Sequence, residues 1–347
     1  MIWLTWRQFR AQTIVTSAAL AVVGVVLAAT GLHLMHLFDA SGVATCHAHG
    51  NCATLADKFI NLFKAGAANS SLFYGSIGVL YLAPALIGVF WGAPLVAREI
   101  ETGTFRLAWN QSVTRTRWLA VKLGLTGLAA MATAGMLSLA VTWWAGPIDQ
   151  ALQFNSSPEG AGLTRLAPEV FGARGIAPVG YAVLALAIGV TAGVLIRRTI
   201  PAMATTLAAY AGVLLAWPNW IRPHLITPLR SIVPLNPAAI NGVMTPNNTQ
   251  MTVIAAANKP GAWIISNQTI APSGHLFTGP ATQACLSRTA SFQACQASIG
   301  RLHLRQLISY QPASRFWAFQ WYEAGIFLTL TLALAGFCFW WIRRRLT

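Results

Sequence analysis

The chain is poor in charged side chains, and above all in acidic ones. Only 9% of its 347 residues are charged, and 8 Asp and Glu stand against 23 Lys and Arg, which gives a net charge of +15. Hydrophobic residues make up 55% of the chain, and the mean hydropathy is +0.56. This balance argues against an ordinary soluble domain and indicates a membrane protein.

Several motifs that carry chemistry are missing. The sequence has no Gly-Lys pair and therefore no G-x-x-x-x-G-K-S/T loop to hold phosphates. It also lacks H-E-x-x-H, G-x-S-x-G and paired carboxylates within an apolar run. We expect no catalysis by this chain, no metal and no bound cofactor. Its basic residues are scattered between apolar runs, which argues against a nucleic-acid partner.

Six windows are apolar and long enough to span a membrane, which takes roughly 20 residues. They are 14–34, 74–97, 118–145, 176–196, 200–217 and 323–342. An even number of spans places both termini on one side. More than half of the Lys and Arg fall in the short segments of that side, so the positive-inside rule predicts cytosolic termini. These residues are Arg7, Arg10, Arg98, Arg106, Arg115, Arg117, Lys122, Arg197, Arg198, Arg343, Arg344 and Arg345.

The predicted fold class is an all-α polytopic membrane protein. It has six transmembrane helices and a small mixed extracytoplasmic domain between the fifth and sixth spans. Residues 1–13 are predicted to form an interfacial helix, with a basic anchor of the first span as the alternative. Residues 14–217 hold five spans and a cytosolic segment at 98–122, and residues 218–322 form the outer domain. Residues 323–347 are the last span and a basic cytosolic tail.

The outer domain has weak signals of secondary structure and an uneven charge. Residues 262–266 and 268–270 are predicted strands, and residues 298–309 a short helix. No Asp or Glu occurs between Val170 and Tyr322, so we expect a basic outer surface that attracts anionic groups. Its basic residues are Arg174, Arg222, Arg230, Lys259, Arg288, Arg301, Arg305 and Arg315.

Four of the five cysteines lie in predicted outer segments, where disulfides persist. Four cysteines allow three pairings, and the local pairs Cys46–Cys52 and Cys285–Cys295 are preferred because each closes a short loop. The alternative is a soft-metal site that uses Cys46 and Cys52 with nearby imidazoles. Those histidines are His33, His36, His47 and His49. The fifth cysteine, Cys338, is expected to be a small apolar filler in the last span.

Glu323 is the acid nearest to a membrane interior. It follows Trp321 and Tyr322, which favour the interface, so we expect it at the outer rim of the last span. One interpretation is an anchor paired with an arginine such as Arg315. The other is a candidate gate or cargo contact.

The polar segment 98–122 separates the second and third spans and holds two acids and five basic residues. Glu99 and Glu101 are expected near the start of a helical segment, where carboxylates complement the helix dipole. Gly103 permits a bend, and Thr102 or Thr104 is expected to cap the next turn.

The segment also carries a family resemblance. Residues 98–107, followed by 112–115 and Lys122, resemble the permease subunit of type-2 ATP-binding-cassette exporters, most closely those of actinobacteria. Residues 3–8 and 310–317 resemble the same family. The chain departs from the family at Ser112 and Val113, because family members often have a proline shortly before the Ser/Thr-Arg pair.

The resemblance implies a subunit in a bacterial inner membrane that pairs with a second permease copy, identical or not. Two cytosolic ATPases would bind ATP and Mg²⁺, and the segment at 98–122 would dock on them. The coupling residues would be Arg98, Glu99, Glu101, Thr102, Gly103, Thr104, Arg106, Arg115 and Arg117. Membrane lipids are further partners, and the expected cargo is lipid-like, peptide or an amphiphilic drug. The alternative function is a membrane sensor or immunity protein whose outer domain binds a ligand.

Overall fold

The structure is a computed structural model that describes residues 2–46, 51–103, 114–155, 158–244, 250–257, 259–286 and 291–345. In this part of the chain, six helices are long and apolar enough to cross a membrane, as the six apolar windows predict. These candidate spans are Arg10–Ser41, Ala67–Glu101, Arg115–Trp144, Ala177–Ile196, Thr199–Leu225 and Ala313–Arg344. The fifth continues past its predicted window to Leu225.

The first half of the chain is helical. Its α-helices are α1 (Ile2–Ser41), α2 (Cys52–Ala65), α3 (Ala67–Leu86), α4 (Ala93–Glu101), α5 (Arg115–Trp144), α6 (Gly146–Ala151) and α7 (Pro168–Phe171). A π-helical segment, Ile87–Gly92, joins α3 to α4, and a 3-10 helix covers Pro158–Leu163. Residues 2–13 continue into the first span as one helix, with no break that would set them apart.

The second half adds the outer domain and the last span. Its helices are α8 (Ala177–Ile196), α9 (Thr199–Ala216), α10 (Arg222–Leu225), α11 (Gln283–Leu286), α12 (Phe292–Gly300) and α13 (Phe316–Arg345). Its strands are β1 (Leu229–Pro234), β2 (Ile240–Met244), β3 (Gln250–Ala255), β4 (Trp263–Ile270), β5 (Gly279–Pro280) and β6 (Arg305–Gln311). A π-helical segment, Trp217–Ile221, joins α9 to α10, and 3-10 helices cover Pro237–Ala239 and Ala313–Arg315.

Helix α8 is the centre of the bundle. It packs against α3, α4, α5, α9 and α13, and 72% of its span is buried against 11% for α1. Small residues make this contact possible. A Cβ on Gly88 would lie 2.7 Å from the Ala185 carbonyl oxygen, and one on Gly193 would lie 2.6 Å from that of Ala93. The second span and α8 therefore meet backbone to backbone.

The second span carries a break in its hydrogen bonding that α1 repairs. Pro94 has no N–H to donate to the Phe90 carbonyl four residues earlier. The side-chain amide of Gln12 in α1 donates to that carbonyl at 3.0 Å. The contact therefore supplies a single side-chain donor to a carbonyl that Pro94 cannot pair.

The outer domain holds two antiparallel three-stranded sheets, ordered β1-β6-β4 and β2-β3-β5. The two predicted strand fragments at 262–270 are one strand, β4, with a register shift between Ile264 and Ser266. The predicted helix at 298–309 is wrong. Helix α12 ends at Gly300, and the chain continues into β6 because β1 and β4 pair with both of its edges.

The two local cysteine pairs are the ones that the structure joins. The Cα atoms are 5.7 Å apart for Cys46–Cys52 and 4.7 Å apart for Cys285–Cys295, within the usual range for a disulfide. Cys295 belongs to the core of the outer domain. His47 and His49, which the metal alternative invokes, lie outside the described residues.

Candidate functional site

The polar segment begins where the second span ends. Thr102 donates its hydroxyl to the Arg98 carbonyl at 2.8 Å and so closes α4, although we expected it to cap the next turn. Gly103 follows with a φ of +71°, which turns the chain away from the helix. Glu99 and Glu101 thus lie at the C-terminal end of α4. The prediction that they sit near a helix start and complement its dipole is wrong for their own helix.

Glu101 instead caps a different helix. Its carboxylate accepts from the backbone N–H of Thr199 at 2.9 Å and from the Thr199 hydroxyl at 2.7 Å. Thr199 is the first residue of α9, so the negative charge lies at the positive end of that helix. This contact joins the end of the second span to the turn between the fourth and fifth spans. Sequence reasoning missed it because the two residues are 98 positions apart.

Glu99 connects the same segment to the third span. It forms an ion pair with Lys122 of α5, whose ammonium also donates to the Leu95 carbonyl at 3.1 Å. Lys122 is buried and lies over the Trp118 ring at 4.8 Å. At the start of α5, the Thr114 hydroxyl accepts from the Arg117 N–H at 3.3 Å. Thr104 and Arg106 lie outside the described residues.

Together these contacts make one joint, which we call the inner joint: Glu99 with Lys122, and Glu101 with Thr199. It ties the polar segment to α4, α5 and α9. A force applied to the segment would therefore act on the second, third and fifth spans together. Glu101 is exposed and Glu99 retains 14% of its side-chain exposure, whereas Lys122 is buried.

The opposite end of the bundle holds a buried ion pair, which corrects the prediction for Glu323. Its partner is Arg222 rather than Arg315, and neither side chain is more than 1% exposed. Arg222 donates to both carboxylate oxygens, at 3.1 and 3.0 Å, and Tyr181 donates to the nearer one at 2.7 Å. Arg315 instead donates to the Thr227 carbonyl and the Gln311 side chain.

Further contacts complete this network. Arg222 donates to the Pro168 carbonyl at 3.0 Å and lies over the Phe171 ring at 4.5 Å. We call the set Arg222, Glu323 and Tyr181 the outer clasp, because it joins α10, α13 and α8. The charges of Arg222 and Glu323 are paired with each other inside the protein. Because Glu323 is buried, the structure does not favour it as a direct cargo contact.

Gln320 adds a second buried link at the outer end. Its side-chain oxygen accepts from the N–H groups of Ile176 and Ala177, at 2.9 and 2.8 Å, and so caps α8. Its amide donates to the Arg174 carbonyl at 3.0 Å. Sequence reasoning missed this residue, although a lone amide beside an apolar run was a signal that could have marked it.

The expected basic outer surface is smaller than the sequence suggested. Arg174 and Arg222 are each 1% exposed and contribute nothing to it. Arg174 donates to the Val141 carbonyl at 3.0 Å. Nearby, burial raises the pKa of the Asp149 carboxyl, an effect that the Arg174 guanidinium partly offsets. These two residues belong to the packing beneath the outer domain.

Six helices that are long and apolar enough to cross a membrane, with a polar joint at one end, describe a polytopic membrane protein. Comparison with known families supports this conclusion: a family described as ABC-2 membrane transporter related matches residues 17–222, more than half of the chain. The chain belongs to this family. The match covers the first five spans, the inner joint and Arg222, but not the outer sheets. Comparisons with curated proteins and with solved structures returned no match.

Membership in this family has a direct consequence for partners. An ABC-2 permease is a membrane component that works with ABC ATPase components and typically has no ATPase site of its own. The absence of a Gly-Lys pair from the sequence is consistent with that division of labour.

Proposed function

We propose that this chain is the permease subunit of an ATP-driven exporter in a bacterial cell membrane, of the actinobacterial type. It moves a lipid-like, peptide or amphiphilic drug substrate out of the cytoplasm or inner leaflet. Two permease copies assemble with two cytosolic ATPases, which bind ATP and Mg²⁺. Both termini lie in the cytosol, on the same side as the inner joint.

The inner joint carries this proposal. It links one short polar segment to three spans, which is what a segment that receives force from an ATPase needs. An ordinary turn between the second and third spans needs no contact with the fifth span, α9. The hydrogen bonds between Glu101 and Thr199 connect the segment to a third helix, in addition to the two helices that flank it.

The joint also divides the predicted coupling residues into two roles. Glu99, Glu101 and Thr102 have partners within the chain and act as positioning residues. For the ATPase contact itself the family resemblance offers Gly103, Thr104, Arg106, Arg115 and Arg117, and Arg98 lies beside them at the level of the inner headgroups. Arginine is suited to this role because its guanidinium binds carboxylates in a bidentate geometry.

The test is expression of the chain with its native genomic neighbourhood and affinity purification in mild detergent, followed by ATP turnover of any ATPase that co-elutes. The Glu101→Lys substitution should leave the chain in the membrane and lower the response of ATP turnover to the permease. Its matched control is Glu169→Lys, the same charge reversal at an exposed site in α7 near the outer end.

Two outcomes would contradict the proposal. Unchanged turnover in Glu101→Lys would remove the inner joint from coupling. A chain that elutes without an ATPase, or with a kinase or regulator, would favour the sensor or immunity function instead.

A further inference from the structure

A large groove lies between α1 and the second span. Its volume is about 960 Å³, and apolar side chains of α1, α3 and the π-helical segment form most of its walls. Val15, Leu82 and Phe90 line it and are 69%, 54% and 50% exposed. Within a bilayer, an apolar groove of this size is filled by an apolar chain, because an empty one would lose dispersion contacts along its whole lining.

The groove exists because α1 packs along only part of its length. Its outer half is held by Leu27, Leu34 and Phe38, which belong to a buried cluster with α2 and α5. In its inner half the packing is partial: Leu20 and Val23 pack against that cluster, whereas Val15 on the groove wall is 69% exposed. The bond from Gln12 to the Phe90 carbonyl bridges the two walls there.

The charged side chains of the groove lie at one end, where Arg98 and Glu101 line it at the inner joint. The polar lining residues farther along include Thr133, whose hydroxyl donates to the Ala129 carbonyl of its own helix, and the walls there are otherwise mostly apolar, as at Val23 and Val79. This segregation matches an amphiphile, which has one polar end and one apolar chain. A spanning helix of a second copy would present an apolar face along the whole groove instead.

The charge at the polar end favours an anion. Arg98 is exposed and lines the groove, while the two nearby acids are already engaged. Glu99 is paired with Lys122, and the negative charge of Glu101 is opposed by nearby Arg198, while its oxygens accept from Thr199. A guanidinium at this position is suited to a phosphate or carboxylate headgroup.

The length of the groove also fits a membrane lipid. From Val79 to Arg98, the second span rises by about 28 Å at 1.5 Å per residue. One leaflet contributes about half of the roughly 30 Å hydrocarbon thickness, so the groove is longer than a single acyl chain. An acyl chain that starts at Arg98 can therefore run along α1 and α3 without leaving the groove.

We propose that this groove binds an anionic amphiphile from the inner leaflet, with its headgroup at Arg98 and its chain between α1 and α3. Binding itself requires no ATPase. Only the step from bound lipid to cargo rests on the proposed function.

The test is native mass spectrometry of the purified chain, titrated in detergent with phosphatidylglycerol or phosphatidylcholine. We expect the chain to bind phosphatidylglycerol about tenfold more tightly, the size of one charge-assisted contact. Arg98→Gln should remove this preference and retain lipid binding. Ala19→Trp should fill the groove and remove binding of both lipids.

Ala19 is exposed on α1, so a tryptophan there disturbs no core packing. The matched control is Leu128→Trp, which adds the same ring at a 62% exposed position of α5 that is not part of the groove lining. It should bind lipid like the unaltered chain. Equal binding of the two lipids, or full binding by Ala19→Trp, would overturn the proposal. A dimer that Ala19→Trp converts to a monomer would also overturn it, because a second copy would then occupy the groove.

Lipid binding and ATPase capture are separate measurements. Equal binding of the two lipids by the unaltered chain, with the ATPase still captured, would overturn the groove and leave the proposed function standing. Specific lipid binding without any ATPase would support the groove and contradict the exporter.

Discussion

The two ends of the helix bundle are joined by polar contacts of opposite character. At the inner joint, Glu101 is exposed and meets one residue of α9. At the outer clasp, Arg222 and Glu323 are almost fully buried and are bonded to each other, to Tyr181 and to the Pro168 carbonyl. Buried networks hold one geometry, whereas exposed contacts exchange with water at little cost. We infer that the outer end is a fixed point and that movement begins at the inner end.

The largest effect should come from breaking the outer clasp. Arg222→Met leaves Glu323 as a buried charge without a partner, which should lower the free energy of unfolding by about 3–5 kcal/mol. Thermal unfolding in detergent measures this change. Adding Glu323→Leu to the same chain should recover much of the loss.

Arg230→Met is the matched control for this experiment, because Arg230 is exposed on β1. It should unfold at the same temperature as the unaltered chain. If Arg222→Met also does so, the outer clasp is not what holds that end of the bundle.

A comparison of two glutamines tests the same contrast with neutral groups. Gln320→Leu leaves the N–H groups of Ile176 and Ala177 without their acceptor in a buried site and should cost about 1–3 kcal/mol. Gln12→Leu at the inner end removes a single, exposed bond and should cost less. An equal fall in unfolding temperature for Gln320→Leu and Gln12→Leu would contradict the proposed difference in stability between the two ends of the bundle.

The close contact of α4 with α8 should be sensitive to a single methyl group. Gly193→Ala places a Cβ 2.6 Å from the Ala93 carbonyl oxygen and should cost about 1–3 kcal/mol through overpacking. Gly78→Ala in α3 is its control, because a Cβ there meets no heavy atom within 4 Å. The control should be neutral or slightly stabilising, since Ala favours helix over Gly. A similar melting temperature for both variants would show that α4 and α8 are not tightly packed.

The smallest effect on stability should come from Glu101→Gln, because the site is exposed. The amide can still accept from Thr199 but loses the charge that complements α9. We expect an unchanged unfolding temperature together with a weaker response of ATP turnover to the permease. A large fall in unfolding temperature would show that the inner joint holds the fold rather than transmitting force.

The sequence predicted what depends on local pattern. The six spans follow from the length of the apolar runs, and the short spacing of Cys46 to Cys52 and of Cys285 to Cys295 favoured local pairs. Strand β6 was misjudged because its partners, β1 and β4, lie far away in the sequence.

The polar contacts were the least predictable part. Arg222 and Glu323 are 101 positions apart, and each alone looks like a residue of the membrane rim. Glu101 stands at the end of one helix and acts at the start of another, so local reasoning assigned its charge to the wrong dipole. Pairings of this kind follow from helix packing, which no single segment encodes.

Hydrogen exchange at the two ends tests the central claim most directly. The backbone N–H of Thr199 and those of residues 98–103 report on the inner joint, and those of Ile176 and Ala177 report on the outer end. The account predicts faster exchange at the inner amides in the chain alone, and slower exchange there once the ATPase binds, with the outer amides slow in both states. Inner amides that do not respond to the ATPase, or outer amides that respond in their place, would contradict it.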